Sequence, residues 1–361
     1  MALTLQRLKQ LLTPADSSRS ILPFIPRPIR YILLFILLLN ARSWPFVWHF
    51  RVFRPLIYLR TRSLSLIGKS KEEKRKWYTA LSPVGEHPLE KVSVWKSWAS
   101  PDDSDFNLHL SNSSYAKSLD SARFKSALAS FPLFFGDGGW IALGATHFRF
   151  IREIPIHSPY QVRVGVAAWD QKWMYVVAQF ITFPPKTSKS KSKQPQSLTK
   201  GVKEILDKDN AESNFAHAHI QTPANGLDTP AVFTPPVVSS STSAPGTSWA
   251  YSGTLPEGAV LNCVSVSQLC CKHGRSTVPP SLVIAGSGFL MAPDSDEWAM
   301  IQGMRKTGEM KKLVKGGWRE VPEEDRWWDS YLKGTGIMER VERNLKEFDG
   351  MRNGVEAITS L

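Results

Sequence analysis

Cysteine is scarce in this chain, limited to Cys263, Cys270 and Cys271, with the last two adjacent. Such an odd, sparse set excludes a disulfide framework and a CxxC metal spacing, and it fits reduced thiols in a strand of a domain facing the cytosol. No helix-turn-helix, zinc-finger or RNA-binding signature accompanies the basic residues, so nucleic acid is not expected as a partner. There is no G-x-S-x-G elbow of an α/β-hydrolase. The "GSGF" around Gly286 and Gly288 is half of a dinucleotide motif, and it follows strands instead of opening a βαβ unit. His217 and His219 stand without companion ligands, and no metal site is expected. Long apolar runs are missing as well: the densest uncharged stretch, Tyr31 to Ala41, falls well short of the ~20 residues that span a bilayer.

What the chain does have is aromatic and apolar mass, with 42% hydrophobic residues and 13 Trp, enough to bury a sizeable core. Its net charge of +13 sits mainly in the first 80 residues, near position 190, and from Lys306 to Arg319. These clusters flank apolar sequence, which points to an anionic membrane surface. Extending the apolar run to Phe50 admits only Arg42, placed to snorkel toward headgroups, and adds Trp44 and Trp48, which favour the interface. Residues 1–80 are therefore expected to be a membrane anchor with a basic flank, and in the stronger form of that expectation a single transmembrane helix. Five Lys or Arg precede the run and ten lie between Arg42 and Lys76. That bias places the main domain in the cytosol, on an internal membrane. Because β-structure begins only near Val92, residues 1–80 are expected to be dispensable to the fold.

From Val92 the pattern is one strand, one helix, then four strands. "KVSVWKSWA" alternates and is rich in β-branched and aromatic residues. Asn112 is expected to cap the helix that follows, and Tyr115, Leu119, Ala122, Ser126 and Ala129 recur on one slim face of it. "LGATHFRFIREIPI", "YQVRVGVAAW" and "KWMYVVAQFITF" read as strands, the last two joined by a hairpin at "DQK". A fifth strand is expected at Ala259 to Cys271. Residues 184–253 are rich in Ser, Lys, Pro and Thr and are expected to be a disordered insertion within a domain covering 88–283. Residues 293–361 carry helical spacing and form a C-terminal extension.

That order is that of a hotdog fold, an α+β architecture in which an antiparallel sheet wraps a central helix. The segment "DSDFNLHLSNSSYAKSLDSARF" resembles the D-x-D-x-x-x-H-x-N-N-x-x-Y motif of the hotdog thioesterases, especially the membrane-anchored branch of thioesterase superfamily member 6 and its fungal relatives. "FRFIREIPIHSPYQVRVGVAAWDQKWMYVVAQF" and "KHGRSTVPP" are similar to later parts of that branch. The resemblance implies Asp105 as general base or nucleophile toward a thioester carbonyl, with His109, Asn112 and Tyr115 completing the motif as substrate-binding residues. Ser111 replaces the first Asn of the family's pair, and Leu110 stands where Met is frequent. A carboxylate ahead of a helix start suits this chemistry, because the helix's unpaired N–H groups stabilise a developing oxyanion. A structural role also suits the acids: Asp102, Asp103 and Asp105 are favoured before a helix by its dipole alone.

Two functions follow. One is a membrane-anchored hydrolase of acyl-CoA or acyl-carrier thioesters, a homodimer with the Asp105 loop near the partner, needing no metal or redox cofactor. The other is a non-catalytic hotdog protein that binds a lipid or acyl chain, or serves as a scaffold.

Overall fold

The computed structural model describes residues 26–183 and 255–359. The insertion expected at 184–253, with His217 and His219, lies outside the described residues. Five strands form one antiparallel sheet in the order β1-β3-β4-β5-β2: β1 (Ser93–Trp98), β2 (Gly139–Phe150), β3 (Pro159–Trp169), β4 (Trp173–Thr182) and β5 (Val260–His273). A short β6 (Ser276–Thr277) pairs with β5. Between β1 and β2 runs the central helix, Asn112–Ser130. This is the hotdog arrangement expected from the order of elements.

The central helix sits close to the sheet because its buried face is small. Ser114, Ser118, Ser121, Ser126 and Ser130 are buried beside Tyr115, Leu119 and Ala122. Ala129, placed on that face by spacing, is exposed. A buried hydroxyl needs a partner. The Ser118 hydroxyl meets the Tyr160 hydroxyl of β3 at 2.7 Å.

Strands β3 and β4 turn at Asp170, whose carboxylate accepts the amides of Lys172 (2.8 Å) and Trp173 (2.6 Å). Alternate strand residues face opposite sides of a sheet. Tyr160 therefore looks to the central helix, while Tyr175 stacks on Phe348 of the last helix, Ile337–Thr359, with ring centroids 5.5 Å apart. Asn344 of that helix donates to the Ala167 carbonyl at 2.6 Å. With both faces covered, seven of the ten residues of β4 are buried and none is exposed. That explains why "KWMYVVAQFITF" is continuously apolar where a half-exposed strand would alternate.

The N-terminal region departs from expectation. Its apolar run is split between a helix at Arg27–Leu39 and a second at Val47–Ser63. Asn40 ends the first by donating its side-chain amide to the Ile36 carbonyl (2.8 Å), and the Trp44 indole donates to the Leu37 carbonyl (2.9 Å). Phe46, after Pro45, then turns in the left-handed region at φ 66°. The first helix has 13 residues, a rise of about 20 Å against a hydrocarbon core of ~30 Å. Among the described residues no helix is long and apolar enough to cross a membrane, so the single transmembrane helix is not found there.

Nor is the region a detached flank. The second helix packs on the central helix through Phe53 and Phe124, whose rings meet edge to face at 5.5 Å, and Arg54 stacks on Trp95 of β1 at 4.8 Å. Arg42, expected to snorkel, instead donates to the Trp98 carbonyl (2.9 Å) and the Ser97 hydroxyl (3.2 Å). The expectation that residues 1–80 are dispensable to the fold does not match this packing.

Candidate active site

The chain between β1 and the central helix is a closed loop. Ser104 and Leu110 form an isolated antiparallel bridge across it, and His109 bridges to Pro155 beyond β2. Inside the loop the Asp105 amide donates to the His109 carbonyl (2.9 Å) and the Leu108 amide to the Asp105 carbonyl (3.1 Å). Leu108 is held at φ 61°, in the left-handed region that a branched side chain rarely adopts. It stays there because its carbonyl also accepts from the Ile156 amide at 2.8 Å.

This geometry presents the half-buried Asp105 carboxylate. One oxygen accepts from the Asn107 amide at 3.0 Å, and the other faces His109 Nδ1 at 3.3 Å. The opposite ring nitrogen, Nε2, lies 3.2 Å from the carboxylate of Glu153. A neutral imidazole donates to only one of these acids; a protonated one donates to both. The ring is thereby oriented from two sides.

The helix start differs from expectation. Ser111 occupies the N-cap and Asn112 is the first helical residue, with an exposed side chain. The Ser111 side chain does not cap the helix amides, because its hydroxyl meets those of Ser113 (3.1 Å) and Ser114 (2.9 Å) instead. Tyr115 is buried one turn on, its ring packed between Phe150 and Phe180 at centroid distances of 5.1 and 4.9 Å. Burial pushes its phenol up, beyond the ordinary tyrosine range. Of the four residues singled out, Asp105 and His109 meet directly, whereas Asn112 lines the helix start and Tyr115 belongs to the core.

Two acids carry more than their sequence showed. Glu153 lies in an otherwise apolar and basic stretch, "FRFIREIPI", and that isolation was its only signal. Asp103, 1% exposed, is ringed by Lys117 Nζ (2.8 Å), Arg51 (3.4 Å) and Arg42 (3.5 Å). Burial alone would push its carboxyl up, but the hydrogen bond and charge of Lys117, with the two arginines, outweigh burial and hold it below the usual carboxylate range. The three thiols are free and buried, and burial pushes Cys263 up to about 12. An open cleft of about 340 Å³ lies elsewhere, lined by Tyr78, Leu133, Asp137, Gln302 and Arg305 among others, and none of the four site residues borders it. Among the described residues no cluster of three or more His, Cys, Asp or Glu is arranged to hold a metal ion.

Residues 99–222 match the family model of the thioesterase-like superfamily. The chain is similar to Thioesterase lcsJ of Purpureocillium lilacinum, 27% identical over 42% of this chain and 58% of that protein. It is 32% identical to Probable thioesterase atnL of Emericella nidulans over 41% of this chain and 52% of the relative. Protein THEM6 of Drosophila melanogaster is 28% identical over 32% of this chain and 62% of its own length. The two fungal alignments thus span little more than half of either relative. The resemblance to the superfamily member 6 branch and its fungal relatives, read from the loop motif, is matched by these proteins.

Proposed function

We propose that the chain hydrolyses acyl thioesters carried on coenzyme A or a carrier protein, while held on an internal membrane with its main domain in the cytosol. The observation that carries this reading is the Asp105 carboxylate, fixed by the Asn107 amide and His109 a few residues ahead of a helix start that its own N-cap side chain, Ser111, leaves uncapped. Asp105 takes a proton from water as the hydroxyl adds to the thioester carbonyl; direct attack by the carboxylate is the alternative. The carbonyl oxygen gains the charge, which the positive end of the helix dipole stabilises. Collapse breaks the C–S bond, and the leaving thiolate takes the proton back from Asp105. His109, oriented by Glu153, keeps the carboxylate in place. Two fungal relatives bear the name thioesterase, which agrees with this chemistry.

Anchoring is supported by the first helix, on which Tyr31 to Leu39 are each 41–70% exposed. A stripe that apolar on every side has little reason to face water. Thirteen residues suit a helix lying in the interface better than one crossing it. Assembly as a homodimer is supported by β2, a 12-residue edge strand that among the described residues pairs only with β5. It exposes Trp140, Leu143 and Phe150, and the loop beside Asp105 exposes Phe106 and Leu108.

The test is hydrolysis of an acyl-CoA panel by the purified full-length protein. Asp105→Asn is expected to lower kcat/KM at least about a hundredfold, the scale of general-base loss. Unchanged turnover in the variant removes Asp105 from the chemistry. A wild type inert at every chain length, but purified with a lipid, identifies an acyl-binding protein instead.

A further inference from the structure

Asp103 lies two residues before Asp105, and the cations that surround it come from other parts of the chain. Lys117 reaches it from the central helix, and the Ser100 hydroxyl donates to it at 3.0 Å from the start of its own turn. Its carbonyl accepts the Ser111 amide at 3.0 Å, tying it to the helix start. The remaining two cations, Arg42 and Arg51, come from the N-terminal segment. Ser43 of the same segment donates to Asp102 at 3.1 Å, and Arg42 also stacks on Trp98 with 5.1 Å to the ring centroid. One buried carboxylate thus gathers both ends of the loop and a segment more than fifty residues upstream.

A surface ion pair would mean little here. This one is different in burial: Asp103 is 1% exposed, and Arg42 and Arg51 are 21% and 15% exposed. A buried carboxylate that loses a partner must move, protonate or draw in water. Movement of Asp103 carries Ser104 and the Ser104–Leu110 bridge with it, and so the turn that presents Asp105.

We propose that Arg42 and Arg51 are positioning residues of the active site, so that the N-terminal segment that bears the apolar helix also sets the geometry of the catalytic loop. The proposal rests on the role of Asp105 given above. It makes the segment a part of the enzyme's working structure as well as an attachment to a surface.

The experiment uses the full-length protein in detergent, with Arg42→Gln, Arg51→Gln, the double variant, and Arg60→Gln as a control on an exposed position of the helix that carries Arg51. Each is assayed well below its melting temperature, where circular dichroism matches the wild type. The double variant is expected to lose at least tenfold in kcat with KM within twofold, and Arg42→Lys to recover part of that loss. In an Asp103→Asn background the same arginine changes should have less than a twofold further effect, because their influence passes through that carboxylate. Hydrogen exchange gives a readout independent of turnover: the amides of Asp105, Leu108 and Leu110 should exchange at least tenfold faster in the double variant and not in Arg60→Gln. Wild-type turnover with exchange and kcat unchanged in the double variant overturns the proposal while leaving the role of Asp105 intact. An inert wild type removes the hydrolase reading, and exchange then still decides whether the arginines hold the loop.

Discussion

Asp103 and Asp105 share a loop yet live in opposite surroundings, one sealed among three cations and the other held at the surface by an amide and a histidine. The sealed carboxylate is the structural one. Because its folded pKa is depressed, its contribution to stability is complete above the ordinary carboxylate value near 4, and it is lost as the pH falls through the lower folded value. Asp103→Asn should therefore cost about 3 kcal/mol at neutral pH, the scale of breaking a buried ion pair. It should also flatten the acid limb of a plot of melting temperature against pH between about 5 and 2; parallel wild-type and variant curves would show that the carboxylate is not what holds the loop. The sequence reading weighed all three loop acids alike, with Asp105 distinguished only by the motif. Nothing local separates them, since the cations that bury Asp103 stand at positions 42, 51 and 117. Glu153 escaped for the same reason, its partner His109 being brought to it by a bridge between distant segments.

The elements themselves were largely legible, because alternation in strands and steps of three and four in helices are periodic over several residues. Their limits were less so. β2 was read from Leu143 but begins at Gly139, since a bulge between Leu143 and Ala145 breaks the alternation on which the reading depended. Its expected end, "REIPI", leaves the sheet after Phe150, and its Pro155 bridges to His109 in the Asp105 loop instead. Gly144 marks the bulge, and a methyl group there would lie 2.4 Å from the Trp173 ring. Gly144→Ala should thus displace that indole and destabilise the fold by about 1–3 kcal/mol, the usual cost of overpacking. Chemical denaturation would read the loss, and a neutral result would mean the ring has room to swing aside. The capping residue was misassigned by one position for a similar reason: Ser111 and Asn112 are both good caps by type, and only the backbone shows that Ser111 stands outside the helix.

At the scale of the whole molecule, the two ends of the sheet are treated differently. The β1 side is covered by the N-terminal helices, whereas among the described residues nothing pairs with the outer edge of β2, which exposes Trp140, Leu143 and Phe150. An open edge of that kind calls for a partner strand. A Leu143→Lys change should convert a dimer at micromolar concentration into a monomer in sedimentation runs, and a wild type already monomeric there would refute the assembly. The covered side leads to the sharper forecast, because attachment and folding part company within the N-terminal segment. The helix Arg27–Leu39 is exposed along its apolar residues, and the turn after it is tied to it by the Trp44 indole. The helix Val47–Ser63, by contrast, brings Phe53, Arg54 and Arg51 onto the domain. Removing residues 1–40 should release the protein from membranes into the soluble fraction with its melting temperature preserved. Removing residues 1–63 strips the cover from the central helix and two cations from Asp103, a loss of several kcal/mol against a total stability of only about 5–15. That shorter chain should melt far lower or aggregate. If the 1–40 deletion stays on the membrane, the exposed helix is not the anchor. Equal melting temperatures for the two truncated proteins would place the second helix outside the folded core.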